Sequence, residues 1–320
     1  MFQYAIQRIA LAVPTLIGLT LVIFVAIRVL MPVDVVDVML GETDSTFDPT
    51  IAAEMRENFG LDGPLAIQYV RWMGRVAQGD LGRSFVSGRP VTEELLYRVP
   101  TSLQLGLGAL AITVVLAIPV GMMSAVRRDS IPDYLARGGA ILFYAIPGFW
   151  IAIMVLVYGS VWFEWAPSIE FKPFWVDPIA NINHIWLPML ILGLNSIGTM
   201  TRLVRTQVLE VIGQDYVRTA RAKGLDVRAL YFRHVLRNAM LPIITVIGLQ
   251  IPNVVSGTVI FEQIFLVPGV GRYLLTALQR LDLYVILGTN LFFGTVLIVS
   301  NLTVDILYGV IDPRIRYASR

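Results

Sequence analysis

Long apolar runs without charged side chains constrain this chain more than any other feature of its sequence. Residues 101–126, 138–163, 185–201 and 239–261 contain no Asp, Glu, Lys, Arg or His. A helix needs roughly 20 apolar residues to cross the hydrocarbon core, and its backbone polar groups must be paired within the segment. We therefore predict an all-α polytopic membrane protein with six transmembrane helices, at about 9–30, 101–126, 138–163, 185–201, 239–261 and 283–308.

The composition agrees with this class of protein. Hydrophobic residues make up 56% of the chain and charged residues 15%, whereas about a quarter of an average soluble domain is charged. The first run is too long for a signal peptide and no small-residue cleavage site follows it, so we expect a retained span. The absence of Cys and the presence of two His argue against a metal site. Topology explains the basic residues better than a nucleic-acid partner does.

The distribution of basic residues predicts the orientation. The N-terminus, the 127–137 loop, the 202–238 loop and the C-terminal tail together hold fifteen of the 25 Lys and Arg residues. The 31–98 insert instead carries six Arg against eleven Asp and Glu. Because cytoplasmic loops are enriched in Lys and Arg, we expect both termini in the cytoplasm of a bacterial cell and the chain in its inner membrane.

The 31–98 insert is expected to be folded and extracytoplasmic. Asp48-Pro49 opens one helical pattern that ends at Gly60, and Pro64 opens a second that ends at Gly79. The second has an apolar stripe that includes Tyr69 and Trp72, which must cover either the outer ends of the spans or the membrane interface. We divide the chain into residues 1–100, the first span with the insert, and 101–320, a core of five spans.

The spans lack the chemistry that would let this chain work alone. No P-loop sequence, no catalytic nucleophile with its base and no ionisable relay within the spans is present, so we predict no catalytic residue, no metal and no bound cofactor. Energy then arrives from another subunit, or the chain is a stand-alone channel or ion-coupled carrier. Candidate residues lining a pathway are polar and uncharged: Asn195, Ser196, Gln250, Asn253, Ser256 and Asn290. Hydrogen bonding between helices is the alternative role for such residues.

The 202–238 loop is the segment most informative about function. Gly224 divides it into two predicted helical pieces, at about 214–223 and 226–237, because Gly suits a positive φ or a close backbone approach. Asp226 is placed to cap the second piece. Such a short helix can act as a lever between spans four and five. The alternative is a basic loop held by anionic lipid headgroups.

This loop, with motifs along the whole chain, resembles a known family. The motifs are Asp215-Tyr216-Val217-Arg218-Thr219-Ala220-Arg221-Ala222-Lys223-Gly224, Gly79-Asp80-Leu81-Gly82, Ile146-Pro147-Gly148-Phe149-Trp150 and Phe261-Glu262-Gln263-Ile264-Phe265. Together they resemble bacterial ABC-importer permeases of the dipeptide, oligopeptide and nickel branch. Where the general importer motif has Glu-Ala-Ala, this chain has Arg218-Thr219-Ala220.

The resemblance implies a type I ABC importer permease fold with an extracytoplasmic helical insert. It implies a homologous second permease, two ATPase subunits that bind ATP and Mg, and an extracytoplasmic solute-binding protein, with di- or oligopeptides as cargo. It also implies that the loop contacts the ATPases. Ala220 and Gly224 would pack into a groove, and Arg218, Arg221 and Lys223 would offer charged contacts. The residues assigned to this coupling are Asp215, Arg218, Thr219, Ala220, Arg221, Lys223, Gly224, Arg233 and Arg237.

Overall fold

The protein is helical throughout its described elements. The computed structural model describes residues 2–30, 36, 49–58 and 60–311. The N-terminal part contains α1 (Phe2–Leu30), α2 (Pro49–Asn58), α3 (Leu65–Val76) and α4 (Val91–Val126). The helices that follow are α5 (Ile131–Ala145), α6 (Gly148–Phe163), α7 (Pro178–Ile212), α8 (Asp215–Ala222), α9 (Val227–Ala229), a π-helix (Leu230–Val235), α10 (Leu236–Ile264), α11 (Val270–Gln279) and α12 (Leu283–Ile311).

The membrane spans agree in number with the sequence prediction, and the third is sharply bent. Among the described residues, five helical stretches are long and apolar enough to cross a membrane, and a sixth crossing is formed if α5 and α6 count together. The sequence placed one span over 138–163 and expected a kink at Pro147, as at the other prolines within spans. The chain does bend there, by 87°, and the bend separates α5 from α6.

The break lies at Ile146-Pro147 and has a local cause. A residue before proline is pushed out of the helical region, and Ile146 is extended, with φ −91° and ψ 122°. Pro147 also has no N–H to donate to the Phe143 carbonyl. The Asn195 Nδ2 of α7 replaces that donor, at 3.3 Å from the Phe143 oxygen and 3.1 Å from the Ile146 oxygen.

Two predicted boundaries were wrong. Span four begins earlier and ends later than 185–201, since α7 covers Pro178–Ile212. The Asp177 side chain caps it by accepting from the Ala180 N–H at 3.0 Å, and residues 202–212, predicted as loop, continue the helix. Likewise α4 begins at Val91, so the last residues of the predicted insert belong to the second span.

The chain divides into two compact units, one of residues 1–100 with 269–302 and the other of 101–268 with 303–320. In the first unit, α3 packs on α1. The Phe24 ring centroid lies 5.4 Å from that of Tyr69 and 6.2 Å from that of Trp72, and the hydroxyls of Thr20 and Tyr69 are 2.8 Å apart. The apolar stripe of α3 therefore covers the end of a span, the first of the two predicted alternatives. Gly60 and Gly79 end their helices with φ of +63° and +80°.

The second unit is held by close helix packing and a buried ion pair. The Thr113 hydroxyl donates across to the Gly193 carbonyl at 2.8 Å, at a point where a Cβ on Gly193 would lie 2.8 Å from the Ala109 oxygen. Small residues allow such approaches between membrane helices. In the same unit, the carboxylate of Asp133 on α5 pairs with the guanidinium of Arg205 on α7.

Candidate functional site

The residues assigned to coupling lie where α7 turns into α8 and the chain returns into α10. Helix α8 ends at Ala222, and Gly224 follows with φ +77°. The Asp226 carboxylate then accepts from the N–H groups of Arg228 and Ala229 at 3.1 and 3.3 Å. The positive φ at Gly224 and the cap at Asp226 are therefore confirmed.

The second predicted helical piece, 226–237, is not a separate element. It runs through α9 and the π-helix directly into α10. The buried side chains explain this continuity, because Leu230, Val235, Ala239 and Ile243 all belong to one apolar cluster. The step of five residues from Leu230 to Val235 exceeds an α-helical turn, and a π-helix, with its i to i+5 bonds, brings both side chains to one face.

Helix α8 is anchored by one face and exposed on the other. Val217 is 1% exposed in the same apolar cluster, and Ala220, three residues on, is half-buried against it. The side chains of Asp215 and Arg218 are 94% and 81% exposed. The remaining assigned residues are all exposed: Thr219, Arg221, Lys223, Gly224, Arg233 and Arg237. We call the exposed residues 215, 218, 219, 221, 223 and 224 the α8 surface.

Hydrogen bonds join α8 to the chain that leads into α10. The Asn238 Nδ2 donates to the Tyr216 hydroxyl at 2.8 Å, and the Arg221 guanidinium donates to the Tyr231 hydroxyl at 3.2 Å. These two bonds, on either side of the buried Val217, tie α8 to the chain that enters α10.

Gly224 has open space where a side chain would be. No atom of the described chain lies within 4 Å of a Cβ built on it. The sequence left two reasons for glycine here, a positive φ or a close backbone approach. Within this chain the structure supports the first, and it leaves the space above Gly224 open to another molecule.

A buried ion pair, which the sequence prediction missed, fixes α7 just before α8. The Asp133 carboxylate is fully buried and accepts from Nε and Nη2 of Arg205, each at 2.9 Å. It also accepts from the Ser124 hydroxyl and from the Asp129 N–H. Sequence reasoning placed both charged residues in polar loops, and their spacing of 72 residues gave no sign of the contact.

Three of the candidate pathway residues lie on α7 and α10, with different surroundings. Asn195 is half-buried and its amide bonds the carbonyls at the α5–α6 break. Ser196 and Gln250 both line a cavity of about 60 Å³ together with Thr113. A role in lining a pathway stays a prediction for all three.

The other three candidates give less information. The Ser256 side chain is exposed and donates to the Pro252 carbonyl of its own helix at 3.3 Å. Asn290 belongs to the first unit and donates to the Ile286 carbonyl at 2.8 Å. The Asn253 side chain lies outside the described part of the chain. For these residues too, the pathway role stays a prediction.

Comparison with known families decides the class of this protein. Residues 117–317 match the family described as binding-protein-dependent transport system inner membrane component, and residues 1–106 match the N-terminal region of such membrane components. The chain belongs to this family. Membership confirms the resemblance drawn from the motifs. The protein is the permease subunit of an ABC importer, a multi-pass inner-membrane component of a transport system that has other subunits.

Relatives cover this permease from end to end. It is 38% identical to the dipeptide transport system permease protein DppB of Escherichia coli (strain K12), over 99% of both chains. It is 36% identical to the oligopeptide transport system permease protein AppB of Bacillus subtilis (strain 168), over 99% of this chain and 100% of the relative. A crystal structure of an amino acid ABC transporter with histidines matches 70% of this chain and 94% of its own at a TM-score of 0.51, with 12% identity. That last likeness supports the fold alone.

Proposed function

We propose that this permease forms half of the translocation pathway of an ATP-driven importer of di- or oligopeptides. The names of the relatives at 36–38% identity support this cargo. The other half of the pathway is a homologous permease. Two ATPase subunits, which bind ATP and Mg, dock on the cytoplasmic side, and a solute-binding protein delivers peptide on the other side.

The observation that carries this proposal is the α8 surface. Its polar residues are exposed while Val217 beneath them is buried, and Tyr216 and Arg221 are hydrogen-bonded to the chain that enters α10. A helix attached in this way transmits a push or pull to a transmembrane span. A basic loop that only held lipid headgroups would not require these bonds. We assign ATPase contact to the α8 surface, with Arg233 and Arg237 as flanking contacts.

Ala220 has a different role from the one the resemblance implied. Because it is half-buried against the apolar cluster of its own chain, we propose that it sets the distance between α8 and that cluster. Gly224, with open space above it, is the better candidate for entering a groove on the ATPase.

The orientation and domain roles follow from the same proposal. With the α8 surface facing the ATPases, both termini are cytoplasmic, and residues 31–98 lie on the side from which peptide arrives. We assign contact with the solute-binding protein to the insert of residues 31–98. Residues 101–320 supply the permease core, of which residues 269–302 belong to the same compact unit as residues 1–100.

The energetic requirements of moving a peptide across the bilayer also fit a passive pathway in this permease that is driven by its partner subunits. A zwitterionic peptide carries two charges, and each costs about 2.5–3.5 kcal/mol at the centre of a bilayer on the insertion scale. A pathway lined by groups such as Ser196 and Gln250 lowers that barrier without holding the peptide tightly. Accumulation against a gradient still requires ATP hydrolysis in the partner subunits.

Reconstitution tests this function directly. The complete complex in liposomes, with the solute-binding protein and labelled dipeptide, is expected to accumulate peptide with ATP and not without it. The same liposomes containing this permease alone are the control and are expected to show no flux. Peptide flux through the permease alone would support a stand-alone channel or carrier instead.

A further inference from the structure

A cavity in the unit of residues 1–100 and 269–302 has no role in the function described above. It encloses about 390 Å³ and is lined by the turn at residues 84–87, by Arg98 of α4, by one face of α11 and by the start of α12. This volume lies in the range of about 300–1,000 Å³ that is typical of small-molecule sites. None of the candidate pathway residues lines it.

The charges around this cavity favour an anion. Arg98, Arg272 and Arg280 line it, against one carboxylate, that of Asp282. That carboxylate is already engaged, since it accepts from the Ser84 hydroxyl at 2.5 Å and from the N–H groups of Phe85 and Val86 at 3.2 and 3.3 Å. Arginine at the wall of a pocket is suited to binding carboxylates, because its guanidinium presents several N–H donors in one plane.

Two of these arginines, Arg98 and Arg280, differ in how far they are engaged. Arg98 donates twice to Glu94, at 2.8 and 3.2 Å, and its guanidinium lies 4.6 Å from the centroid of the Tyr273 ring. Arg280, by contrast, is exposed and forms no ion pair with the part of the chain that the structure describes. Arg280 is therefore better placed than Arg98 to receive a ligand.

A buried hydroxyl supplies the second, independent observation. The Tyr273 oxygen is shielded from solvent and has no hydrogen-bond partner among the described residues, although most buried polar atoms in proteins have one. Burial, together with the nearby Asp282 and Glu94 carboxylates, raises the pKa of Tyr273 to about 12. The group is therefore an O–H donor at neutral pH. A ligand with a negatively charged oxygen would complete its hydrogen bonding once the Tyr273 ring turns enough to bring the hydroxyl to the surface of the cavity.

We propose that this cavity binds the carboxylate of a small peptide, with the Tyr273 hydroxyl and the Arg280 guanidinium as donors. The choice of peptide as ligand rests on the proposed function, and the choice of carboxylate rests on the donors alone. The segment that contains α11 follows α10, whose other end adjoins the α8 surface. In the proposed orientation the cavity therefore lies on the side from which peptide arrives, and it forms a peptide site of the permease outside the candidate pathway.

Binding to the complete transporter in nanodiscs, without ATP and without the solute-binding protein, tests this inference. Equilibrium dialysis would compare labelled Ala-Ala with its C-terminal amide, which lacks the negative charge. The variants are Tyr273→Phe, which keeps the ring under Arg98, and Arg280→Gln. The matched control is Arg71→Gln, because Arg71 is also an exposed arginine of this unit and does not line the cavity.

We expect each of the two variants, and the amide ligand, to weaken binding about tenfold, the effect of losing a hydrogen bond to a charged group. The Arg71→Gln variant should bind as the wild type does. Equal binding of acid and amide, or binding unchanged in both variants, would overturn the proposal. So would variants that weaken docking of the solute-binding protein but leave dipeptide binding intact, since the cavity would then receive a protein side chain.

The inference and the proposed function can fail separately. A wild-type complex that imports dipeptide but shows no binding sensitive to Tyr273 and Arg280 would contradict the inference alone. A complex that binds Ala-Ala through these two residues, but accumulates no peptide with ATP, would contradict the proposed function alone.

Discussion

Substitutions at Gly224 separate a backbone requirement from a docking requirement. Its φ is +77°, and no atom of the described chain lies within 4 Å of a built Cβ. For a residue other than glycine, the left-handed backbone costs about 1–2 kcal/mol. Gly224→Ala should therefore reduce the population of the native turn by roughly 5- to 30-fold relative to its opened forms. Gly224→Asn should cost less, because Asn tolerates this conformation.

Gly224→Trp is the informative change. Within this chain it has the same backbone cost as Gly224→Ala, because the indole extends into open space. If an ATPase groove closes over this position, the indole blocks docking, and uptake and ATPase stimulation should both be lost. Gly224→Ala should retain part of each activity, and Gly224→Asn most of it.

The assays are ATP hydrolysis and dipeptide uptake by the reconstituted complex, with the melting temperature of the isolated permease as the stability control. Equal activity of the Ala and Trp variants, at equal melting temperatures, would refute the docking role and leave Gly224 as a turn residue. Full activity of the Trp variant would also refute the proposal that the ATPase approaches this turn.

Three further predictions concern other contacts. Asp133→Asn leaves Arg205 without its charged partner and should lower the free energy of unfolding by about 3–5 kcal/mol; a chemical denaturation curve that matches the wild type would show that the pair is unimportant. Asn195→Leu removes the donor to two carbonyls at the α5–α6 break and should cost about 1–3 kcal/mol, seen as a lower melting temperature, whereas lost uptake at unchanged stability would indicate a pathway residue. Folding raises the pKa of Tyr273 to about 12 from its ordinary value of 10.0. The Tyr273 hydroxyl therefore contributes fully to the free energy of unfolding below pH 10, and this contribution is lost as the pH rises to about 12. Tyr273→Phe should flatten this part of the stability profile, and an unchanged slope would contradict the shift.

Features set by neighbouring residues were predictable from the sequence. The apolar runs identified the spans because lipid excludes charge along a whole segment. The turn at Gly224 and the cap at Asp226 were also predictable, since each depends on a side chain and the backbone next to it. The extent of α7 was not predictable, because residues 202–212 are polar enough to suggest a loop. The pairing of Arg205 with Asp133, which is distant in sequence, helps to hold them in the helix.

Proline positions show the same limit. Pro14, Pro188 and Pro252 lie inside helices, whereas the chain bends by 87° at the break that contains Pro147. The sequence treats these prolines alike. At Pro147 a donor from another helix, the Asn195 amide, bonds the carbonyls exposed by the break. The outcome thus depends on a residue 49 positions from Ile146, which local patterns do not reveal.

In the candidate site, too, some features depend on adjacent residues and others on residues that are distant in the sequence. The basic, exposed character of the α8 surface is local and was predictable, but the direction of the proposed force transmission from α8 was not. That direction depends on Val217 entering the cluster that contains Leu230 and Val235. Without the π-helix, the five-residue spacing of Leu230 and Val235 would turn one of them away from Val217. The basic residues could then bind a partner, but a displacement of α8 would move α10 only through its exposed hydrogen bonds. The irregular turn of helix is therefore what makes the α8 surface mechanically part of a transmembrane span.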